Sequence, residues 1–135
     1  MSNPAHRLWL GVLALFFVGA GANHFVNPEP YLAMMPPYLP WHGPLVMISG
    51  VAEVLGGLGI LIPVTRRAAG FGLILLLVAI FPANLQVALH GWPGTTLPAW
   101  ALWLRLPLQI VLIFWVHRIC LRRPATNSSQ GMIPT

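Results

Sequence analysis

Charged side chains are scarce in this chain. They make up 7% of its 135 residues, with two acids and seven bases. A soluble domain carries about a quarter, so these residues cannot cover a water-facing surface. That excludes a soluble enzyme and a disordered chain alike. Cysteine is scarcer still: Cys120 stands alone, which excludes an intramolecular disulfide, a CxxC redox pair and a cysteine-rich metal site. Phosphate-binding glycine loops, GxSxG elbows, HExxH and CxxCH are all missing. His24 and His90 lie at helix ends where a bis-histidine haem would need them, but no other feature supports one. Neither a metal nor a covalently bound cofactor is expected.

Apolar residues are what the chain has in abundance, at 57% with a mean hydropathy of +0.77. They fall into four runs, about 8–25, 44–62, 68–90 and 99–116, each near the roughly 20 residues that cross a bilayer. The fold class is therefore all-α: a transmembrane four-helix bundle over residues 1–123, with a polar tail, 124–135, expected to be disordered in the cytoplasm. The stretch from Arg7 to Ala22 loosely matches a signal peptide. However, Phe16, Phe17 and Val18 carry the apolar run almost to the small residues, which favours a retained span.

A net charge of +5 and a pI near 11.3 would suit nucleic acid. All seven bases are arginine, though, and six flank apolar runs, so no nucleic-acid partner is expected. With four spans, Arg7, the Arg66–Arg67 pair, and Arg118, Arg122 and Arg123 fall on one side of the membrane. The opposite loops carry no Lys or Arg, which places both termini in the cytoplasm. Trp9 and Trp115 mark that boundary, and Trp41, Trp92, Trp100 and Trp103 the opposite one.

The polar residues within the spans carry the functional information, because a charge there costs roughly 2.5–3.5 kcal/mol on insertion scales. Glu53 lies about 15 Å past Gly43 at the helical rise, and Arg105 about 9 Å below the outer boundary. Gln109 is one turn beyond Arg105 on the same face. Asn84 matches Arg105 in depth, and His24 ends the first span on the same side. All four spans thus bring polar groups to the outer half of the membrane, while the inner half is aliphatic. A polar pocket lined by Glu53, Asn84, Arg105, Gln109 and His24 is expected, with a Glu53–Arg105 ion pair inside it. An alternative is that this polar layer only fixes helix register. Pro82 and Pro107 are expected to kink their helices near it. Small residues on the second span, including Ser49, Gly56, Gly57 and Gly59, permit close packing, with Gly11, Gly19 and Ala22 offered by the first. The proline-rich loop Asn27–Gly43 reads as a short helix capped by Asn27 and running to about Met35. It would serve as a lid over the pocket or as an interfacial anchor.

The segments Gly21-Ala-Asn-His-Phe25, Ile48-Ser-Gly-Val-Ala-Glu-Val-Leu-Gly-Gly57, Phe81-Pro-Ala-Asn84 and Arg105-Leu-Pro-Leu-Gln109, in this order, resemble the DoxX-like family of small bacterial integral membrane proteins. That resemblance implies a four-helix bundle in the cytoplasmic (inner) membrane, and association with redox systems that use quinone. Together with the polar layer it leads to the first functional expectation: a quinone- or lipid-binding accessory subunit, not catalytic alone. Arg105 and Gln109 would meet a carbonyl oxygen and Glu53 would balance a proton. The alternative is a non-enzymatic assembly factor that engages a membrane protein partner or a second copy of itself.

Overall fold

The computed structural model describes residues 3–123, and over that range the chain is helical; the tail 124–135 lies outside the described residues. Seven elements follow one another: α1 (Pro4–Val26), α2 (Glu29–Ala33), α3 (His42–Gly59), α4 (Arg66–Ala79), α5 (Phe81–His90), α6 (Ala99–Val116) and a π-helical turn, α7 (His117–Leu121). Three helical stretches are long and apolar enough to cross a membrane: Pro4–Val26, Arg66–His90 and Ala99–Leu121. α3 matches α6 in length, but His42, Pro44, Glu53 and its glycines dilute its apolar character.

Each boundary has a local cause. Asn3 caps α1 by accepting from the Ala5 amide at 3.0 Å, ahead of Pro4 in the first turn, where a missing N–H costs nothing. The stretch Arg66–His90 is interrupted at Ile80, so that Pro82 falls in the first turn of α5. A proline there has no N–H for the preceding turn and crowds its carbonyl. Pro107, by contrast, sits inside α6 without ending it. The short helix expected after Asn27 is capped by Pro28 instead and ends at Ala33.

Glycine sets the tightest seam. A Cβ on Gly21 would lie 2.6 Å from the Gly50 carbonyl oxygen, and one on Gly50 would lie 2.8 Å from His24 Cβ. Gly57 likewise faces the Ala14 carbonyl and Val18. α1 and α3 therefore pack backbone to backbone, as small residues permit in a bilayer. Gly11 and Gly19, expected to line this seam, face outward with nothing within 4 Å. The helix turns them away from the Gly21 face.

α4 follows α3, with Leu73 over Gly56, and α7 follows α4, with Cys120 against Gly70. α6 packs along α5, and no comparable seam joins α1 to α6. Those two helices meet at one end through the edge-to-face pair Trp9–Trp115, centroids 5.6 Å apart. The same end holds a dry core of Leu10, Leu13, Phe17, Ile60, Leu73, Leu77 and Val116. Arg7, Arg66, Arg67 and Arg118 gather there too. Arg66 donates to the Ile60 and Leu61 carbonyls, groups the end of a helix leaves unsatisfied. Outward faces carry Leu15, Ile48, Leu55, Phe71, Ile110 and Phe114, all more than half exposed, as lipid-facing side chains are.

Candidate functional site: a cavity with two polar walls

The first wall belongs to the α1–α3 seam. Because Gly21 and Gly50 draw the backbones together, His24, one turn past Gly21, falls between Val46, Ser49 and Glu53. Its Nδ1 is 2.9 Å from the Val46 carbonyl oxygen and 3.1 Å from Ser49 Oγ. Its Nε2 is 3.3 Å from Glu53 Oε2. Tyr31 of α2 lies over the imidazole with ring centroids 3.8 Å apart, and its hydroxyl accepts from Asn23 Nδ2 at 2.8 Å.

Serine, histidine and acid in this order resemble a nucleophile triad, but the local geometry argues against one. Ser49 Oγ donates to the Val46 carbonyl at 2.9 Å, and that carbonyl, which can only accept, also faces Nδ1. Nδ1 therefore carries a hydrogen and cannot take a proton from Ser49. The basic nitrogen of a neutral ring is then Nε2, turned towards Glu53. Glu53 is buried, and its Oε2 has no hydrogen-bond partner among the described residues.

The second wall is a chain of polar groups across α4, α5 and α6. Arg105 lies over the Trp92 ring, with its guanidinium carbon 4.6 Å from the centroid. It donates to Asn84 Oδ1 through Nε at 3.4 Å and Nη2 at 3.0 Å. Asn84 Nδ2 donates to Gln109 Oε1 at 3.0 Å, and Gln109 Nε2 donates to the Leu77 carbonyl. That bond falls in the last turn before the Ile80 break, where the helix end exposes carbonyls. Asn84 and Gln109 are both buried, so each needs its partner: an unsatisfied buried polar group costs about 1–3 kcal/mol.

Between the walls lies a cavity of about 510 Å³, touched by His24, Ser49, Glu53, Asn84, Arg105 and Gln109. Phe16 of α1 and Leu108 and Val111 of α6 also line it, and all three are more than half exposed. The cavity therefore opens sideways through the gap between α1 and α6. Trp115 lines the end nearer the Trp9–Trp115 pair. Tyr31, Met34 and Met35 close the opposite end, held by Met34 packed with Val87 and Leu102 and by Trp92 Nε1 donating to the Pro30 carbonyl at 2.8 Å. The proline-rich loop thus packs over that end of the cavity.

The five residues singled out from sequence all line this one cavity. Their pairing differs from expectation: Glu53 faces His24, Arg105 holds Asn84, and no ion pair joins Glu53 to Arg105. α3 packs against α1 while α6 packs against α5, which puts the two charges on opposite walls. Gln109 already spends a donor and an acceptor within the wall, so it positions Asn84 more than it meets a ligand. Tyr31, Ser49 and Trp92 were not expected as site residues. Ser49 had a signal, being four residues before Glu53 on one helix face. Trp92 looked like an ordinary interfacial residue. Among the described residues, no three His, Cys, Asp or Glu side chains come together as a metal would require.

The family model described as "Domain of unknown function (DUF8561)" matches residues 13–120, which takes in both walls and most of the chain. The chain belongs to the DUF8561 family. No curated protein and no solved structure matches it. The matched span runs from the α1 core residue Leu13 to Cys120 in α7, so in this DUF8561 member the cavity lies within the family domain.

Proposed function

We propose that this DUF8561 protein is a four-span protein of the cytoplasmic membrane, both termini inside, that holds an amphiphilic molecule in its lateral cavity. The ligand is a quinone or a lipid headgroup, and the protein acts as an accessory subunit of a membrane redox system. The order of its motifs favours kinship with the DoxX-like proteins. The fourth span would be α3, whose outward residues Ile48, Val51, Leu55 and Leu58 are exposed and apolar while Glu53 and the glycines turn inward. The arginines gathered at the Trp9–Trp115 end support the orientation.

One observation carries the ligand reading: a cavity whose mouth is apolar and lipid-side while its two walls carry His24, Glu53 and Arg105. An amphiphile enters such a site tail-outward, and a lid on the aqueous side leaves the bilayer as its source. The test is solvent extraction and mass spectrometry of protein purified in mild detergent, for wild type, Glu53→Gln and Arg105→Gln. A stoichiometric quinone or lipid in wild type, lost from folded variants, is the expected result. An empty wild type would reduce the polar layer to a structural one. The assembly-factor reading rests on Gly11, Gly19 and Gly72, which face outward with nothing within 4 Å and would admit a partner helix. It predicts loss of a partner's abundance on deletion and an empty cavity.

A further inference from the structure

The two charged side chains of the cavity are partnered unequally, and the difference narrows the ligand. Glu53 faces His24 Nε2 at 3.3 Å, so its carboxyl is partnered within the first wall. Arg105 has no such compensation. Its partners are a side-chain amide oxygen and an aromatic face, both uncharged. No carboxylate stands within 4.0 Å of it among the described residues, and its Nη1 has no protein acceptor there. A guanidinium drawn out of water in this way favours an anion, through charge-assisted hydrogen bonds from its free edge.

The opposite wall asks for something different. The Glu53 side chain lines the cavity and is 9% exposed; its Oε2 is turned to His24, and its other oxygen, Oε1, accepts no hydrogen bond among the described residues. A carboxylate oxygen can only accept, so the group that satisfies it is a donor, such as a hydroxyl.

We propose that the cavity takes an anionic amphiphile that also carries a hydroxyl: the anionic oxygen at Arg105, the hydroxyl at Glu53, and the tail leaving between α1 and α6. This rests on the reading of the cavity as a ligand site, and it selects against a neutral quinone. Two sources share the chemistry, a phospholipid headgroup with a phosphate and free hydroxyls, or an alkylated hydroxyaryl carboxylate.

The test reconstitutes the full chain in nanodiscs and measures retained lipid by native mass spectrometry. Phosphatidylglycerol has the anion and hydroxyls, phosphatidylmethanol has the anion alone, and phosphatidylcholine has neither as needed. A second arm uses an alkylated hydroxybenzoate against its methyl ester. The expected result is about tenfold or greater preference of wild type for phosphatidylglycerol over phosphatidylcholine, and a smaller one over phosphatidylmethanol. Stronger retention of the hydroxybenzoate than of either lipid would support the proposal and assign the second source. Arg105→Gln abolishes the charge preference, whereas Arg105→Lys retains most of it. Arg118→Gln, at the other end of the bundle, leaves it intact and so controls for lipid bound to the inner arginines.

Equal retention of charged and neutral probes by wild type overturns the proposal, whatever the variants do. Preference for a neutral quinone overturns it too, while leaving the ligand site standing. No retained amphiphile of any kind overturns both.

Discussion

Replacing Gly21 by alanine tests the geometry on which the first wall depends. The added methyl would meet the Gly50 carbonyl oxygen at 2.6 Å, Val54 Cγ2 at 2.8 Å and Glu53 Cβ at 2.9 Å. Two of those atoms are backbone or a Cβ, so no rotamer change moves them away. To regain ordinary contact, near 3.5 Å, α1 and α3 must part by roughly 1 Å. Overpacking of this kind costs about 1–3 kcal/mol, and the better helix propensity of alanine returns up to about 1 kcal/mol of it. The net expectation is a loss of about 1–2 kcal/mol, a factor of about 5–30 in the folded-to-unfolded ratio, read as reversible unfolding in mixed micelles. Gly19→Ala adds the same methyl two residues away, where nothing lies within 4 Å, and should be neutral or slightly stabilising. Parting the seam also draws His24 away from Ser49 and Glu53, so the Gly21 variant should lose cavity ligand even when kept folded by mild conditions. Equal stability of the two variants would refute the backbone-contact seam and, with it, the placement of His24.

The remaining predictions concern pairing, the lid and the topology. A double-mutant cycle between Glu53→Gln and Arg105→Gln should be additive to within about 0.5 kcal/mol, since opposite walls share no contact. The cycle between His24→Gln and Glu53→Gln should show coupling of about 0.5–3 kcal/mol. Equal coupling in both would bring back the Glu53–Arg105 pair. Trp92→Phe removes the bond to the Pro30 carbonyl while keeping a ring under Arg105. It should raise amide exchange across α2 and cost about 1 kcal/mol; unchanged exchange would mean the lid is held otherwise. In a Cys120→Ala background, cysteines at Thr65 and Thr95 should react with impermeant thiol reagents from opposite sides of the membrane. Labelling of both from one side would refute four spans.

How much of this was legible before the structure depends on direction. Position along a helix is set by counting residues at a fixed rise, so the levels of Glu53, Asn84, Arg105 and Gln109 could be read from the chain, and they do share one cavity. Which helix stands beside which is set by side-chain fit across seams, and counting says nothing about that. Depth alone made Glu53 and Arg105 the natural pair. The short chain of contacts from Gly21 to Gly50 to His24 makes His24 the partner instead, and a sequence shows glycines without showing which of them touch. The same blindness placed Gly11 and Gly19 in a seam they do not enter. Both prolines are expected to kink their helices: Pro82 stands at the interruption between α4 and α5, while α6 continues through Pro107.

The two halves of the bundle also explain why the polar cluster can exist. Holding buried Asn84, Gln109, His24 and Glu53 costs desolvation, and a bundle this small has few contacts with which to offset it. The half of the bundle at the Trp9–Trp115 end supplies them. Phe17, Leu13, Ile60, Leu73 and Val116 are almost fully buried there, and α7 closes that end through Cys120 against Gly70 and Val116. With that end locked, α1 and α6 can diverge towards the other end without the bundle opening. The resulting gap opens on a cavity whose two walls carry polar groups that a dry, fully packed seam would leave unsatisfied. A residue that only fixed helix register would sit in such a seam with its polar atoms matched, as Asn84 and Gln109 do. Arg105 and Glu53 are matched less completely, Arg105 Nη1 and Glu53 Oε1 making no hydrogen bond among the described residues, and the extraction experiment tests whether a ligand makes up the difference.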